Sequence, residues 1–93
     1  MKYIVKLTSQ FKKDYKLAKR RGKNISELQR VVEVLAEGKS LPEKYHDHAL
    51  VGSWNRHREC HIENDWLLIY CMYENALVLE LARTGSHADL FNI

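Results

Sequence analysis

Five histidines occur in the 93-residue sequence, and all fall after residue 45: His46, His48, His57, His61 and His87. Imidazole is the one side chain whose ordinary pKa, about 6.5, keeps both protonation states populated near neutral pH. Histidines beside a carboxylate are therefore suited to taking a proton from a nucleophile and giving one to a leaving group. Residues 58–66, RECHIENDW, concentrate such groups. In an extended chain His57, Glu59 and His61 share one parity, and Arg58, Cys60 and Ile62 share the other, so the polar set lines one face of a sheet. If the loop bearing His48 and the tail bearing His87 fold over that face, imidazoles and the Asp65 carboxylate converge in an acid/base site.

Each of these groups also has a structural use. A single histidine is more often a hydrogen-bonded surface residue than a catalyst, and His46 and His57 are placed in that class. Asp65, in Glu-Asn-Asp, suits a turn. Trp54, Trp66 and Phe91 are more often core residues than base-stacking platforms. Neither His46 with His48 nor His57 with His61 completes a metal-ligand set of recognised spacing. Cys60 and Cys71 lack a CxxC spacing and are expected as buried, reduced thiols.

The elements that must hold these groups can be read from periodicity. Tyr3, Val5 and Leu7 alternate with Lys2 and Lys6, which predicts a half-buried strand ending near Thr8. A helix follows over residues 9–21, stopped by Gly22. Asn24 with Glu27 predicts a capped second helix, whose apolar face of Ile25, Leu28, Val31, Val32 and Leu35 ends at Gly38. Residues 38–53 form a loop. Residues 54–62, 66–73 and 76–82 have strand composition and are joined by short corners, so two successive hairpins are expected. The middle run is apolar on both faces and should be the central strand. His87 and Phe91, four apart, suggest one helical turn after the last strand.

At 93 residues, with 45% hydrophobic residues and a single proline, the chain is expected to form one domain over residues 1–93 with one modest core. No apolar run reaches the length of a membrane-spanning helix and no signal segment is evident, so a cytoplasmic location with no membrane contact is expected. The net charge of +3 conceals an asymmetry: residues 1–23 hold nine Lys or Arg against Asp14, whereas the remainder holds six against eleven acids. Phe11, Tyr15 and Ala18 mark one face of the first helix, and Lys12, Lys13, Lys16, Lys19 and Arg20 share the other. That stripe suits a phosphate backbone or is a solvated helix face.

Three stretches appear in order: FKKDYKLAKRRG, DHALVGSWNRHRECHIENDWLLIY and LARTGSHADLF. Together they resemble the YafQ-like branch of the RelE/ParE superfamily of bacterial type II toxins, over nearly the whole chain. The resemblance implies an α+β fold of strand-helix-helix-strand-strand-strand order with a short C-terminal helical turn. Its two N-terminal helices would pack on one face of a mainly antiparallel sheet. It also implies a metal-free endoribonuclease, without cofactor, that cuts mRNA in the A site of the 70S ribosome. The toxin would be monomeric when free and held silent in a hetero-oligomer with a cognate DinJ/RelB-like antitoxin. By motif, His48, His61, Asp65 and His87 match the catalytic positions of the family, and Trp66 and Phe91 match residues beside the substrate.

In such a reaction the ribose 2′-hydroxyl attacks the adjacent phosphate and the 5′-oxygen leaves. His87 is assigned as general acid and Asp65 or His48 as base, with His61 and Arg83 stabilising charge on the phosphate. The lysine stripe of the first helix would contact ribosomal RNA. Two alternatives remain: a ParE-like inhibitor of DNA gyrase without enzymatic activity, and an interaction module whose histidines are incidental.

Overall fold

Thr8 ends the first strand and starts the first helix in one step. Its Oγ1 accepts from the Phe11 backbone N–H at 2.9 Å, as an N-cap should, and donates to the Ala82 carbonyl at 2.7 Å. In the computed structural model, which describes residues 2–91, this junction joins β1 (Ile4–Leu7) to α1 (Ser9–Arg20). There follow α2 (Ile25–Ala36), β2 (His48–Ala49), β3 (Arg58–Glu63), β4 (Trp66–Tyr73), β5 (Val78–Gly85) and α3 (His87–Phe91). The strands form one sheet in the order β1-β5-β4-β3-β2. β1 runs parallel to β5 and every other pairing is antiparallel. The expected α+β class is present, with one strand more than expected: β2 and a 3-10 turn at Glu43–Tyr45 lie within residues 38–53, which the sequence suggested as loop.

β4 is the central strand, and its first six residues, Trp66 to Cys71, are all buried. Trp66, Leu68 and Tyr70 join Phe11, Leu28, Val31 and Leu35 in the larger core between sheet and helices. Leu67 and Ile69 face the other way, against Ala82 and Leu90, with Leu50, Trp54 and Phe91 packed around them. Each buried Leu or Ile of this strand contributes about 1.5–3 kcal/mol of transfer free energy. Cys60 and Cys71 are buried free thiols, and burial pushes the Cys60 thiol far above its ordinary pKa.

Several boundaries differ from the sequence expectation. β3 begins at Arg58 and not at Trp54, because residues 52–54 form a 3-10 turn and Arg56 has φ of 72°. The last strand begins two residues later than expected and runs on to Gly85. Asn24 precedes α2, but its side chain makes no cap. Its Oδ1 accepts from Ser26 Oγ at 2.6 Å, and Glu27 instead accepts from the Tyr45 hydroxyl at 2.6 Å. In β1 only Tyr3, just before the strand, is fully buried. Leu7 is 43% exposed, on an edge strand of the sheet.

β1 stops at Leu7, which leaves the edge of β5 away from β4 without a strand neighbour beyond Leu81. α1 fills that place with a carboxylate. Asp14, 7% exposed, accepts from the Thr84 backbone N–H at 3.2 Å and from Arg83 Nε and Nη2, both at 3.0 Å. A buried strand-edge N–H left unpaired would cost about 1–3 kcal/mol, so Asp14 closes the sheet where β1 cannot.

Candidate active site

The β3 parity places Cys60 and Ile62 in the helix-side core and turns Glu59 and His61 to the opposite face. β2 then sets His48 directly opposite Glu59. The loop before β2 is clamped by Asp47, whose Oδ1 accepts from the Tyr70 hydroxyl at 2.7 Å and from Arg58 Nε at 3.2 Å. His48 Nδ1 lies 2.7 Å from the His46 carbonyl. A carbonyl only accepts, so Nδ1 carries the proton. The other nitrogen, Nε2, faces Glu59 Oε1 at 3.5 Å.

Glu59 sits at the centre of the group. Its side chain is 5% exposed, and Oε1 is 3.5 Å from His48 Nε2 and 3.9 Å from His61 Nε2. Its Oε2 is buried without a hydrogen-bond partner among the described residues. The His61 ring centroid lies 5.2 Å from that of His46 and 5.9 Å from that of His87. Burial lowers the His61 pKa, against the pull of Glu59 and with the help of the neighbouring imidazoles of His46, His87 and His48. His61 is thus biased to the neutral form.

Asp65 occupies the β3–β4 turn with φ of 51°, a left-handed conformation that Asp tolerates. Its Oδ1 accepts from the His87 backbone N–H at 3.0 Å and from His87 Nδ1 at 2.8 Å. These two bonds hold the Asp65 carboxyl below the usual carboxylate range. They also fix the His87 tautomer, with Nε2 as the remaining ring nitrogen. α3 is anchored behind His87 by a reciprocal cap: Ser86 N–H donates to Asp89 Oδ2 at 3.0 Å, and Asp89 N–H donates to Ser86 Oγ at 3.1 Å. Arg21 Nη1 donates to the same Asp89 oxygen at 2.7 Å and, with the Ser86 bonds, depresses the Asp89 pKa to about 2. Gly85 permits this fold-back, since a Cβ there would meet Asp89 Cβ at 2.9 Å. Phe91, one turn on, has its ring centroid 6.4 Å from that of His87.

The sequence model described as "Bacterial toxin of type II toxin-antitoxin system, YafQ" matches residues 3–92. This chain belongs to that family. It is 41% identical over 88 residues to the mRNA interferase toxin YafQ of Escherichia coli strain K12, covering 94% of each protein. Among solved structures it is similar to the toxin in the E. coli DinJ-YafQ complex, with TM-score 0.87, 39% identity, and coverage of 96% of this chain and 98% of that one. It is also similar to a metal-bound toxin from Helicobacter pylori, with TM-score 0.90, 37% identity, and coverage of 96% and 99%.

Within this toxin the fold brings His48, His61, Asp65 and His87 to one face, with Phe91 beside His87. Two other expectations need correction. Trp66, expected beside a substrate, is 1% exposed and lies in the helix-side core, because it is the first residue of the central strand. Arg83, expected on a phosphate, has its guanidinium gripped by Asp14, so its charge is balanced within the fold. His46, taken from sequence as an incidental surface residue, stands beside His61; His57 does stay apart, its ring against Trp54. Glu59 was missed as a site residue, although its shared parity with His61 was the available signal. Among the described residues, Glu59, His61 and His87 bring one donor atom each within 4.8 Å of one another. A carboxylate oxygen of Glu59 and two imidazoles form a donor set that suits a borderline divalent ion such as zinc.

Proposed function

We propose that this toxin, acting as one domain over residues 1–93, is an mRNA interferase that cuts messenger RNA in the ribosomal A site. The observation that carries the reading is the Asp65–His87 pair, whose imidazole stands edge-on to that of His61 beside the buried carboxylate of Glu59. The ribose 2′-oxygen attacks the adjacent phosphorus, forming the O2′–P bond while the P–O5′ bond breaks. His61, biased to its neutral form, takes the 2′-hydroxyl proton. His87 gives a proton from Nε2 to the departing 5′-oxygen, and the Asp65 carboxylate stabilises the imidazolium before transfer. Asp65 is thereby the orienting group and not the base. His48 and Glu59 hold His61 in place, and Phe91 packs on the substrate beside His87.

No step requires a metal, because the nucleophile is within the substrate. A divalent ion held by Glu59, His61 and His87 would occupy the nitrogens that move protons. The exposed stripe of Lys12, Lys13, Lys16, Lys19 and Arg20 docks on ribosomal RNA, and a cognate antitoxin, binding the free monomer in the cytoplasm, silences it. Primer extension on an mRNA under translation tests the reading: in-frame cuts within codons are expected with the toxin, and their absence at a toxin concentration that arrests growth would overturn it.

A further inference from the structure

Beside the proton-moving groups a cavity of about 430 Å³ opens at the end of β3, past the last residue that β2 pairs. Its volume falls in the range of about 300–1,000 Å³ typical of small-ligand sites. His61 lines it and His87 does not, so it adjoins the half of the reaction in which the 2′-hydroxyl loses its proton. Part of its wall is held in place. The Tyr45 hydroxyl donates to Glu27 Oε1 at 2.6 Å, and Glu27 Oε2 stands 3.7 Å from Arg30 Nη1. His46 closes the 3-10 turn Glu43–Tyr45 in a left-handed conformation, φ 48°, and its carbonyl accepts from His48 Nδ1 at 2.7 Å. The turn thereby sets the His46 ring edge-on to that of His61, centroids 5.2 Å apart. The bulge between His61 and Glu63, with the turn after it, brings Glu63 and Asn64 to the same cavity. Both are exposed, and neither side chain has a hydrogen bond or ion pair among the described residues.

A ring beside free acceptors suits a base turned out of a single strand: the ring stacks on its face and the polar groups read its Watson–Crick edge. We propose that this cavity seats the base of the nucleotide whose 2′-hydroxyl attacks, stacked on His46, with its amino group read by the Glu63 carboxylate and the Asn64 amide. The proposal rests on the mRNA-cutting reading above and adds a base preference to it. A carboxylate only accepts, so Glu63 pairs with the exocyclic amine of adenine, cytosine or guanine. Uracil presents a single N–H between two carbonyl oxygens and is repelled. Lys44, exposed and lining the same cavity with its Nζ 5.1 Å from the Tyr45 ring centroid, offsets the charge that Glu63 brings towards an anionic strand. His46 and Glu63 thus select the base, while His61 and His87 move the protons.

The probe is a set of mRNAs on 70S ribosomes with a vacant A site, identical except for the base before the parent's cut. The flanking riboses are 2′-deoxy, so that only the varied nucleotide can attack. Single-turnover cleavage by the whole toxin should be about 10- to 10²-fold slower with uracil there than with the best of adenine, cytosine and guanine. Glu63 and His46 are exposed, so substitutions at either leave the core intact. Glu63→Gln, whose amide donates as well as accepts, should narrow the uracil gap about tenfold and cut the best substrate within a few-fold of the parent. His46→Ala should slow cleavage about tenfold whichever base is present, and His46→Tyr should restore most of the rate. Equal rates on every base, or a gap that both Glu63→Gln and Asn64→Ala leave unchanged, would overturn the base subsite while leaving the nuclease established. A loss in His46→Ala that His46→Tyr does not restore would overturn the stacking. A parent that cuts no member of the set would overturn the mRNA-cutting reading and the subsite with it.

Discussion

Asp65 and His87, 22 residues apart, are joined by two hydrogen bonds to one oxygen: Asp65 Oδ1 accepts the His87 backbone N–H at 3.0 Å and its Nδ1–H at 2.8 Å. The first bond fixes where α3 starts and the second fixes how the ring is turned. A hairpin corner thus sets both the position and the tautomer of an imidazole brought in by the end of the chain. Such a carboxylate orients its histidine without itself taking the proton.

His87→Ala should lower the single-turnover cleavage rate by about 10²- to 10⁴-fold with little change in ribosome affinity. A substrate whose leaving 5′-oxygen is replaced by sulfur departs without protonation and should largely restore the rate. Rescue of a His61→Ala variant by that substrate, and not of His87→Ala, would reverse the two assignments.

Glu59→Gln keeps the side-chain volume and removes a charge whose Oε2 has no partner. Cleavage should fall by about 10- to 10²-fold as His48 and His61 lose their common anchor. The thermal midpoint should hold or rise, since an unsatisfied buried acceptor costs about 1–3 kcal/mol and each 1 kcal/mol is worth about 4–8 °C in a domain of this size. A variant that is both unstable and fully active would refute this.

The order and type of the elements were legible because each apolar face has one period over three turns or more, as in α2, or stays apolar on both faces, as in β4. The convergence of His48, His61 and His87 was legible only through motif resemblance, since periodicity places each on its element and says nothing of which loops fold over which face. Arg83 and Trp66 were misplaced for different reasons. The partner of Arg83 is 69 residues away on α1, a pairing that exists only because β1 is too short to cover β5. Trp66 begins a strand buried on both faces, so its own face could not be assigned from alternation. Parity places Glu59 on the face of His61, but only the pairing of β2 with β3 buries it beside His48.

Asp89 has a folded-state pKa of about 2, against an ordinary 3.8, chiefly because of Arg21. Its stabilising contribution is therefore complete above pH ~4 and is lost as pH falls through about 2. Arg21 is 45% exposed, so solvent screens the pair and the effect is small. Asp89→Asn should be slightly less stable at pH 7 and should converge on the parent between pH 4 and 2 in denaturant titrations. A constant difference across that range would assign the loss to packing.

Zinc at micromolar concentration should inhibit cleavage by engaging Glu59, His61 and His87, and a chelator that leaves ribosomal magnesium in place should restore it. The Glu59→Gln variant should keep its residual activity at zinc concentrations that silence the parent. Stimulation of the chelator-treated parent by zinc would instead show that the ion takes part in the reaction.

Lys13 and Arg20 are exposed on α1. If the stripe contacts phosphates, each contact releases about one counterion, so removing two should flatten the plot of log affinity against log salt by about 1.5. The Lys13→Glu/Arg20→Glu double variant should therefore lose ribosome binding most at low salt. It should keep its fold, because both residues lie off the apolar face of Phe11, Tyr15 and Ala18. Unchanged cosedimentation with 70S ribosomes at every salt concentration would make this half of the stripe a solvated helix face.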